Sequence, residues 1–327
     1  MAEISSGTHA SRFLVTGGAG FIGYRVVNWL LENSPTSSVA VYDNLSVNLP
    51  MPLESPRLST YKADILDKPS LRAAVEIFKP DTIVHLAALH HIPTCERERA
   101  KALDINITGT ENVLEMAEAF DVSTVTIASS GAVYDWDDGA LNEMSTTLLP
   151  RDNYALAKYS NERQLAFWAA RTGATGLIAR IFNTIGHDDP NGHLIPDIIE
   201  QIPIGHKTAT IELGNLSPRR DYIHADDTAR AIATIASGEH KPGIDIFNVG
   251  SGKDVSVAEL VTMLGDVMGI TIKVKESAVR KRRVDRPSQL ADVGKIEKQL
   301  GFKTQKSLRI ALEDIVRKSK WGAASRS

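Results

Sequence analysis

Two tyrosines and one lysine lie close together in the stretch RDNYALAKYSNE, residues 151 to 162, and their spacing decides which of them could do chemistry. On a helix, residues four positions apart differ by about 40° around the axis, and residues five apart by about 140°. Tyr154 and Lys158 therefore share a face, while Tyr159 points elsewhere. A phenol with a pKa of ~10 is a poor base near neutral pH, but a neighbouring ammonium group favours its phenolate form. The pair predicts a tyrosine that exchanges protons with a substrate hydroxyl.

Two serines end an apolar run that precedes this pair. Ser129 and Ser130 follow the segment VTIA, so we expect their hydroxyls at the carboxyl edge of a sheet. A hydroxyl at that edge can orient the substrate oxygen whose proton Tyr154 removes. We therefore expect Tyr154 and Lys158 to be catalytic, and Ser129 and Ser130 to contact the substrate.

A glycine-rich loop follows the first apolar run of the chain. FLVTGGAGFIG places Gly17, Gly20 and Gly23 at a Gly-x-x-Gly-x-x-Gly spacing, between a strand pattern and a helix pattern. The first glycine permits a tight turn, the second lets backbone approach a pyrophosphate at the helix N-terminus, and the third lets helix and strand pack closely. In this setting the loop predicts a dinucleotide-binding site.

An acidic residue ends the second apolar run. Asp43 lies about 20 residues beyond the glycine loop, where a carboxylate accepts hydrogen bonds from the ribose hydroxyls and repels a 2′-phosphate. Asn44 and Leu45 follow it, with no arginine to receive such a phosphate. The predicted cofactor is therefore NAD rather than NADP. Asp64, after the third run, is expected near the adenine, although a loop-capping aspartate would need no such role.

The order of the elements predicts the fold. Strand-length runs rich in Val, Ile and Leu alternate with segments of helical period, which indicates a parallel sheet covered on both faces. We predict an α/β fold, a doubly wound parallel (Rossmann) sheet of at least five strands. The texture changes near residue 183, so we predict an NAD-binding domain over 1–184 and a smaller substrate-binding α/β lobe over 185–327, with 219–250 packing back on the large domain. The predicted strands are 13–16, 39–42, 58–63, 82–86 and 125–128, and the predicted helices are 20–32, 69–78 and 95–119.

The composition bears on partners and location. The 327 residues carry a net charge of −3, which gives no general attraction for polyanions, so we predict neither a nucleic-acid nor a membrane partner. A single cysteine, Cys95, excludes an internal disulfide and fits a reducing, cytoplasmic environment. We interpret the stretch GHDDPNGH as a solvated loop rather than a set of metal ligands, and we predict no bound metal.

Several motifs together resemble the extended short-chain dehydrogenase/reductase family, and the likeness to its sugar-nucleotide epimerase/dehydratase branch (UDP-galactose 4-epimerase-like) covers nearly the whole chain. The motifs are GGAGFIG (17–23), HLAA (85–88), NITGT (106–110), SSGAVY (129–134) and Tyr154-x-x-x-Lys158. The resemblance implies that Tyr154 is the acid/base, that Lys158 binds the nicotinamide ribose and that Ser130 is a catalytic residue that holds the sugar hydroxyl. The NAD contacts that it implies are Gly17, Gly20, Phe21, Ile22, Gly23, Asp43, Asn44, Asp64, Ile65, Leu86, Ala87, Ala88 and Lys158.

The second half of the chain resembles the substrate-binding part of the same family. Asn183 in RIFNTIG matches an asparagine that contacts the diphosphate of the sugar nucleotide, and Arg220 in RRDYIHADD matches a diphosphate-binding arginine. Arg282 in RKRRVDR matches a second arginine. Forked guanidinium groups suit a pyrophosphate, although a solvated basic run is the alternative. His91 follows the fourth strand and is expected to contact the sugar, with ordinary polar packing as the alternative.

The resemblance also bears on the reaction. Dehydratases of this family carry an Asp-Glu pair, or a close variant, just before the Val-Tyr, whereas this chain has Gly131-Ala132, which cannot transfer a proton. The resemblance therefore implies an NAD-dependent epimerase of a nucleoside-diphosphate sugar, acting at C4 through a transient 4-keto intermediate. The alternative is an NAD(P)H-dependent 4-keto-sugar-nucleotide reductase, and a non-catalytic NAD(P)-sensing regulator is less favoured, because such proteins usually lack the Tyr/Lys pair.

Two further expectations follow from the resemblance. Where the family has Tyr-Gly, this chain has Tyr134-Asp135 followed by Trp136-Asp137-Asp138, which we expect to reshape the sugar pocket. Relatives pair two helices across a two-fold axis, so we expect a homodimer through the helices near 100–119 and 154–171. The side chains expected to be exposed on these helices are Leu103, Leu114, Leu156, Phe167 and Trp168.

Overall fold

A computed structural model describes residues 11–47, 53–136, 139–191, 193–280 and 286–324. By compactness the chain divides into two units that alternate along the sequence. Unit 1 comprises Met1–Ser129, Asp152–Ala179 and Ile232–Ile246, and unit 2 comprises Ser130–Arg151, Arg180–Ala231 and Phe247–Ser327. The division at residue 184, with 219–250 packing back, stays a prediction.

The described residues form strands and helices in alternation through most of the chain. The strands are β1 Arg12–Thr16, β2 Ser38–Asp43, β3 Leu58–Lys62, β4 Thr82–His85, β5 Thr124–Ser130, β6 Ala140–Leu141, β7 Thr175–Ile181, β8 Asn183–Ile185, β9 Thr208–Leu213, β10 Arg219–His224, β11 Gly243–Val249, β12 Asp254–Ser256, β13 Thr271–Glu276 and β14 Ser288–Ala291. The helices are α1 Gly23–Asn33, α2 Lys68–Phe78, α3 Ile92–Arg97, α4 Arg99–Leu103, α5 Gly109–Ala119, α6 Asn153–Thr172, α7 Leu194–Glu200, α8 Ala225–Ser237, α9 Val257–Met268, α10 Gly294–Leu300, α11 Leu308–Lys318 and α12 Lys320–Ala324. None of these helices is long and apolar enough to cross a membrane.

The large sheet has seven strands in the order β11–β7–β5–β4–β1–β2–β3. The pairs from β3 through β2, β1 and β4 to β5 are all parallel. Strands β1, β2 and β4 are almost wholly buried, as their continuous apolar runs predict. The predicted doubly wound α/β fold is confirmed. The strand order reverses between β1 and β4, and sheets of this kind bind ligands at the carboxyl ends of the strands beside such a reversal.

Two of the apolar side chains that are expected to be exposed on α5 and α6 lie instead in the core of unit 1. Leu114 on α5 and Trp168 on α6 are both wholly buried in this core, so the prediction that they are exposed is wrong. The reason is helical phase, because Trp168 lies about 40° around the axis from Tyr154, on the buried face of α6. Leu156 and Phe167 are exposed, at 45% and 55%.

The predicted helix over roughly 95–119 is interrupted and begins earlier, although it ends at Ala119 as predicted. The helical segment begins at Ile92 and is interrupted at Glu98, whose φ of −115° and ψ of 49° are not helical. It then widens into a π-helical turn over Asp104–Thr108 before α5 begins. Asn106 within this turn bonds to a loop outside the helix, a tertiary contact that the period of the sequence does not contain.

Unit 2 contains its own small sheets and core. One sheet has the order β12–β10–β14–β6, with β8 also paired to β10, and a separate parallel pair joins β13 to β9. Helices α7, α9 and α11 contribute apolar side chains to the core of this unit. A capping box closes the start of α9, where the Ser256 hydroxyl accepts from the Glu259 N–H and the Glu259 carboxylate accepts from the Ser256 N–H.

Candidate active site

Helix α6 carries the predicted acid/base pair. Asp152 caps the helix by accepting a hydrogen bond of 2.7 Å from the Ala155 N–H, which places Tyr154 in the first turn. The Lys158 Nζ lies 5.9 Å from the centroid of the Tyr154 ring. The two side chains share a face of the helix, as their spacing of four residues predicts.

Lys158 is a buried cation. Its side chain donates from Nζ to the Ala128 carbonyl oxygen at 2.8 Å, and only 6% of the residue is exposed. Burial disfavours the ammonium form and lowers the pKa of Lys158 to about 8. Burial raises the pKa of the nearby Cys95 thiol to about 11, so this group stays protonated, and its Sγ donates to the Leu89 carbonyl.

This lowered pKa predicts a pH-dependent stability. A folded-state pKa below the unfolded value means that the cost of burying the charge is fully present below pH 8 and is relieved as the pH rises from about 8 to 10.5. We expect the free energy of unfolding of NAD-free wild type, relative to Lys158→Met, to rise by about 3 kcal/mol across that window. Denaturant unfolding of both proteins at a series of pH values measures the difference. If the difference in the free energy of unfolding between the two proteins does not change with pH, the pKa of Lys158 is not lowered by burial.

The two serines at the end of β5 have different surroundings. Ser129 is 2% exposed, and its hydroxyl donates to Glu162 Oε1 at 2.5 Å. Glu162 is itself buried and lies one helical turn after Lys158. Ser130 is half-buried, and its Oγ accepts from the Ala132 N–H at 3.2 Å. Sequence reasoning did not single out Glu162, although an acidic residue four positions after Lys158 was the available signal.

These surroundings separate the serines by experiment. Ser129→Ala removes a hydrogen bond to a buried carboxylate, so we expect it to lower the free energy of unfolding by ~1–3 kcal/mol. Ser130→Ala loses only the 3.2 Å bond from the Ala132 N–H in a half-buried position, so it should lower the free energy of unfolding by ~1 kcal/mol or less, while we expect turnover to fall more in Ser130→Ala than in Ser129→Ala. Chemical denaturation and steady-state kinetics on both variants provide the measurement. Equal effects of the two substitutions on stability and on turnover would show that the distinction is wrong.

The glycine loop is shaped by close backbone approaches. Gly17 has a φ of +69°, and its N–H donates to the Tyr42 carbonyl at 2.9 Å. A Cβ at Gly17 would lie 2.7 Å from the Ala87 nitrogen, so the loop after β1 touches the loop after β4. A Cβ at Gly20 would meet only the Gly17 oxygen, at 3.1 Å, which leaves the start of α1 open to an anion.

Three of the predicted NAD residues meet at the ends of β2 and β3. The Asp43 carboxylate accepts from the Ala19 N–H at 3.0 Å and from the Leu45 N–H at 2.7 Å, so it is fixed beside the glycine loop. The Asn44 side chain donates to Asp64 Oδ2 at 2.8 Å. A cradle open to an anion beside an anchored carboxylate fits a dinucleotide whose ribose carries free hydroxyls.

The remaining predicted NAD residues border the same loops. Phe21 and Ile22 are half-buried just before α1. The residues Leu86–Ala88 are also half-buried and follow β4 directly. The Ile65 side chain is 5% exposed and packs under α5, where a Cβ at Gly109 would lie 2.5 Å from Ile65 Cδ1.

A buried histidine that sequence reasoning missed lies beneath these loops. His85 is 5% exposed, and its Nδ1 lies 2.7 Å from Thr16 Oγ1 while its Nε2 lies 2.9 Å from Thr110 Oγ1. Burial, and to a smaller extent the charge of Lys158, lower the pKa of His85 to about 3. The imidazole is therefore neutral and links β1, β4 and α5 through its two ring nitrogens. By contrast, the predicted sugar contact His91 is half-buried at the start of α3, with Nδ1 2.9 Å from Thr94 Oγ1.

Two of the predicted diphosphate residues lie on paired strands of unit 2. Asn183 begins β8, and its Nδ2 donates to the Asp221 carbonyl of β10 at 3.2 Å. Arg220 precedes Asp221 on β10, and its Nη1 donates to the carbonyl oxygens of Arg219 and Arg286, each at 2.8 Å. The third predicted residue, Arg282, lies outside the described residues.

The stretch that departs from the family pattern makes an ion pair within unit 2. The Asp135 carboxylate accepts from Arg151 Nη2 at 2.8 Å, and the Arg151 guanidinium lies 5.0 Å above the Trp136 ring. Arg286 donates to the Asp135 carbonyl at 2.6 Å. Asp137 and Asp138 lie outside the described residues, and across the described part of the chain no group of three or more His, Cys, Asp or Glu side chains could hold a metal ion.

Comparison with known proteins identifies relatives that match along almost the whole chain. A UDP-glucose 4-epimerase of Neisseria meningitidis serogroup B is 30% identical over 336 residues, which cover 93% of this chain and 95% of the epimerase. A GDP-6-deoxy-D-mannose reductase of Pseudomonas aeruginosa is 27% identical over 311 residues, covering 93% and 96% of the two chains. The structure of the protein MoeE5 with UDP-glucuronic acid and NAD matches with a TM-score of 0.83 at 27% identity, covering 96% of this chain and 99% of that one.

The model of a known protein family matches over most of the chain. It covers residues 13–250, from the first strand through the stretches that contain Asn183 and Arg220. The resemblance drawn from the motifs is thereby confirmed, and so is the prediction of NAD as the cofactor. The chain belongs to the NAD dependent epimerase/dehydratase family.

Proposed function

We propose that this protein is an NAD-dependent epimerase of a nucleoside-diphosphate sugar, acting at C4 through a transient 4-keto sugar. The observation that carries the proposal is the pair of Tyr154 and buried Lys158 on one face of α6, in a chain with a dinucleotide-binding sheet. Gly131 and Ala132 supply no acid/base group for dehydration. The UDP-glucose 4-epimerase relative supports the same reaction class.

The proposed chemistry needs one proton acceptor and one cation. Tyr154 as phenolate removes the proton of the sugar hydroxyl and returns it at the end of the cycle. The Lys158 ammonium stabilises the phenolate and binds the nicotinamide ribose. Bound NAD supplies hydride transfer from the sugar carbon and back to its opposite face.

The sugar nucleotide itself is assigned to residues of both halves of the sequence. We place the contact with the sugar hydroxyl on Ser130, because the Ser129 hydroxyl is buried and donates to Glu162. His91 is proposed to contact the sugar. Asn183 and Arg220, together with Arg282, are proposed to bind the diphosphate, since amide and guanidinium N–H groups donate to phosphate oxygens.

Product analysis separates the epimerase from the reductase, which the reductase relative makes the second candidate. An epimerase regenerates its cofactor in each cycle, so we expect two epimeric sugar nucleotides to interconvert without added NADH. The measurement is chromatography of the products from a panel of nucleoside-diphosphate sugars, with a 4-keto sugar nucleotide plus NADH or NADPH as the matched assay. Stoichiometric consumption of reduced cofactor without epimerisation would establish the reductase instead.

We also propose a homodimer located in the cytoplasm. The exposed side chains of Leu156 and Phe167 on α6 supply apolar surface for a second copy of the chain. The single cysteine is a buried thiol, which agrees with a reducing compartment. Light scattering that gives the mass of one 35.6 kDa chain at micromolar concentration would refute the dimer, and cell fractionation tests the location.

A further inference from the structure

The π turn between α4 and α5 offers its carbonyl oxygens to helix α6. Such turns hold one residue more than an α-helical turn and are frequent at functional sites. Here the Asn106 carbonyl accepts from Asn161 Nδ2 at 2.7 Å, and the Ile107 carbonyl accepts from Gln164 Nε2 at 3.1 Å. Asn161 is 3% exposed, so its amide is shielded from bulk solvent. Two amides of α6 are therefore fixed against the π turn.

The side chain of Asn106 forms two hydrogen bonds with the backbone of Leu89. Its Oδ1 accepts from the Leu89 N–H at 2.8 Å, and its Nδ2 donates to the Leu89 carbonyl at 2.9 Å. Leu89 directly follows Leu86–Ala88, the loop after β4 that is assigned to NAD. One residue of the π turn therefore bonds to this loop through its side chain and to α6 through its carbonyl.

Helix α6 is also bonded to strand β5. Lys158 donates to the Ala128 carbonyl, and Glu162 accepts from the Ser129 hydroxyl. Asn161 lies between these two residues in sequence, close to one helical turn beyond Lys158. The position of Lys158 relative to the Leu86–Ala88 loop is thus set on one side by β5 and on the other by the bonds of Asn161 and Asn106.

We propose that Asn161 is a positioning residue, which through the Asn106 carbonyl holds Tyr154 and Lys158 at the correct distance from the Leu86–Leu89 loop. The proposal rests on the proposed function, because that reaction needs the tyrosine, the lysine and the cofactor in a fixed mutual arrangement. A displacement of about 1 Å in such an arrangement costs about 10²-fold in rate. Asn161 is not bonded to Tyr154 or Lys158, because its amide donates to the Asn106 carbonyl and to Gln164 Oε1. It therefore acts on the pair through Asn106 and α6.

Three variants test the proposal. Asn161→Leu has a similar size but no donor, and we expect kcat to fall by roughly 10–10²-fold with the KM for the sugar nucleotide within twofold. Asn161→Asp places a carboxylate against the Asn106 carbonyl, but its protonated form donates a hydrogen bond, and burial raises the pKa of such a group. The kcat of Asn161→Asp relative to wild type should therefore rise as the pH falls from 8 to 6. Ser160→Ala is the matched control. The Ser160 hydroxyl donates to the Leu156 carbonyl of the same helix, so its loss leaves the bonds between α6 and the π turn in place.

The outcomes are decisive in each case. A kcat within twofold of wild type in Asn161→Leu, or a pH-independent ratio for Asn161→Asp, overturns the proposal, and the second variant decides if the first does not fold. A merely structural role would lower the free energy of unfolding of the variants and leave the kcat of the folded protein close to that of wild type at every pH. If wild type itself does not epimerise, the proposed function fails, and two other measurements test Asn161: NAD retention on gel filtration and hydrogen exchange of the Leu89 amide. In Asn161→Leu, NAD retention should fall and exchange of the Leu89 amide should become faster, whereas both should be normal in Ser160→Ala, and unchanged values in Asn161→Leu overturn the proposal.

Discussion

Tyr154→Phe is expected to lower the turnover number for epimerisation by roughly 10²–10⁴, the usual contribution of a positioned acid/base. The substitution deletes only the oxygen that carries the proton, and the ring that lies 5.9 Å from Lys158 Nζ remains. Binding of the sugar nucleotide should survive, because its diphosphate is assigned to Asn183, Arg220 and Arg282. Steady-state kinetics with the NAD content of each preparation measured alongside provides the test.

Tyr159→Phe is the matched control for this prediction. Tyr159 lies on the same helix, one residue after Lys158, but about 140° around the axis from Tyr154. Its loss of a hydroxyl should leave turnover within a few-fold of wild type. Near-normal turnover in Tyr154→Phe would exclude Tyr154 as the acid/base, and a larger loss in Tyr159→Phe would assign the role to Tyr159.

The parts of the site that the sequence predicts are those fixed by short separations along the chain. A spacing of four residues places Tyr154 and Lys158 on one face, because the geometry of an α-helix depends on sequence separation alone. In the same way, three glycines at fixed offsets specify the loop after β1. At each of them the absence of a Cβ matters because a few backbone atoms lie close by. The run of elements likewise predicts the doubly wound sheet, although only the structure shows seven strands.

The parts that the sequence does not predict depend on contacts between distant segments. The Ser129–Glu162 bond joins residues 33 positions apart, and it exists only because α6 packs on β5. Periodicity also leaves open which apolar residues of a helix face the sheet, so it does not reveal that Leu114 and Trp168 are buried. The π turn interrupts a continuous helical pattern, and the bonds of its residue Asn106 join it to Leu89, 17 positions away and outside the helix.

Gly23→Ala is expected to have the largest effect on folding of any substitution in the glycine loop. A Cβ at this position would lie 1.9 Å from the Gly17 oxygen and 2.8 Å from both the Gly17 carbonyl carbon and the Gly18 Cα. These are backbone atoms, so no flexible side chain can move aside, and α1 must shift away from the loop. We expect the free energy of unfolding of the NAD-free protein to fall by ~3 kcal/mol or more, beyond the usual range for overpacking.

Gly20→Ala should behave in the opposite way, and the contrast between the two glycines tests the cradle. A Cβ at Gly20 would meet only the Gly17 oxygen, at 3.1 Å, so a shift of a few tenths of an ångström accommodates it and stability should change by less than ~1 kcal/mol. The added methyl group nevertheless stands where backbone must approach the pyrophosphate, so we expect the affinity for NAD to fall by roughly 10–10²-fold. Denaturant unfolding of the NAD-free variants gives the first quantity, and calorimetric titration with NAD gives the second. Wild-type affinity for NAD in Gly20→Ala would show that the pyrophosphate does not bind at this loop. Equal destabilisation by the two alanines would show that the close backbone approach at Gly23 does not determine the stability of the loop.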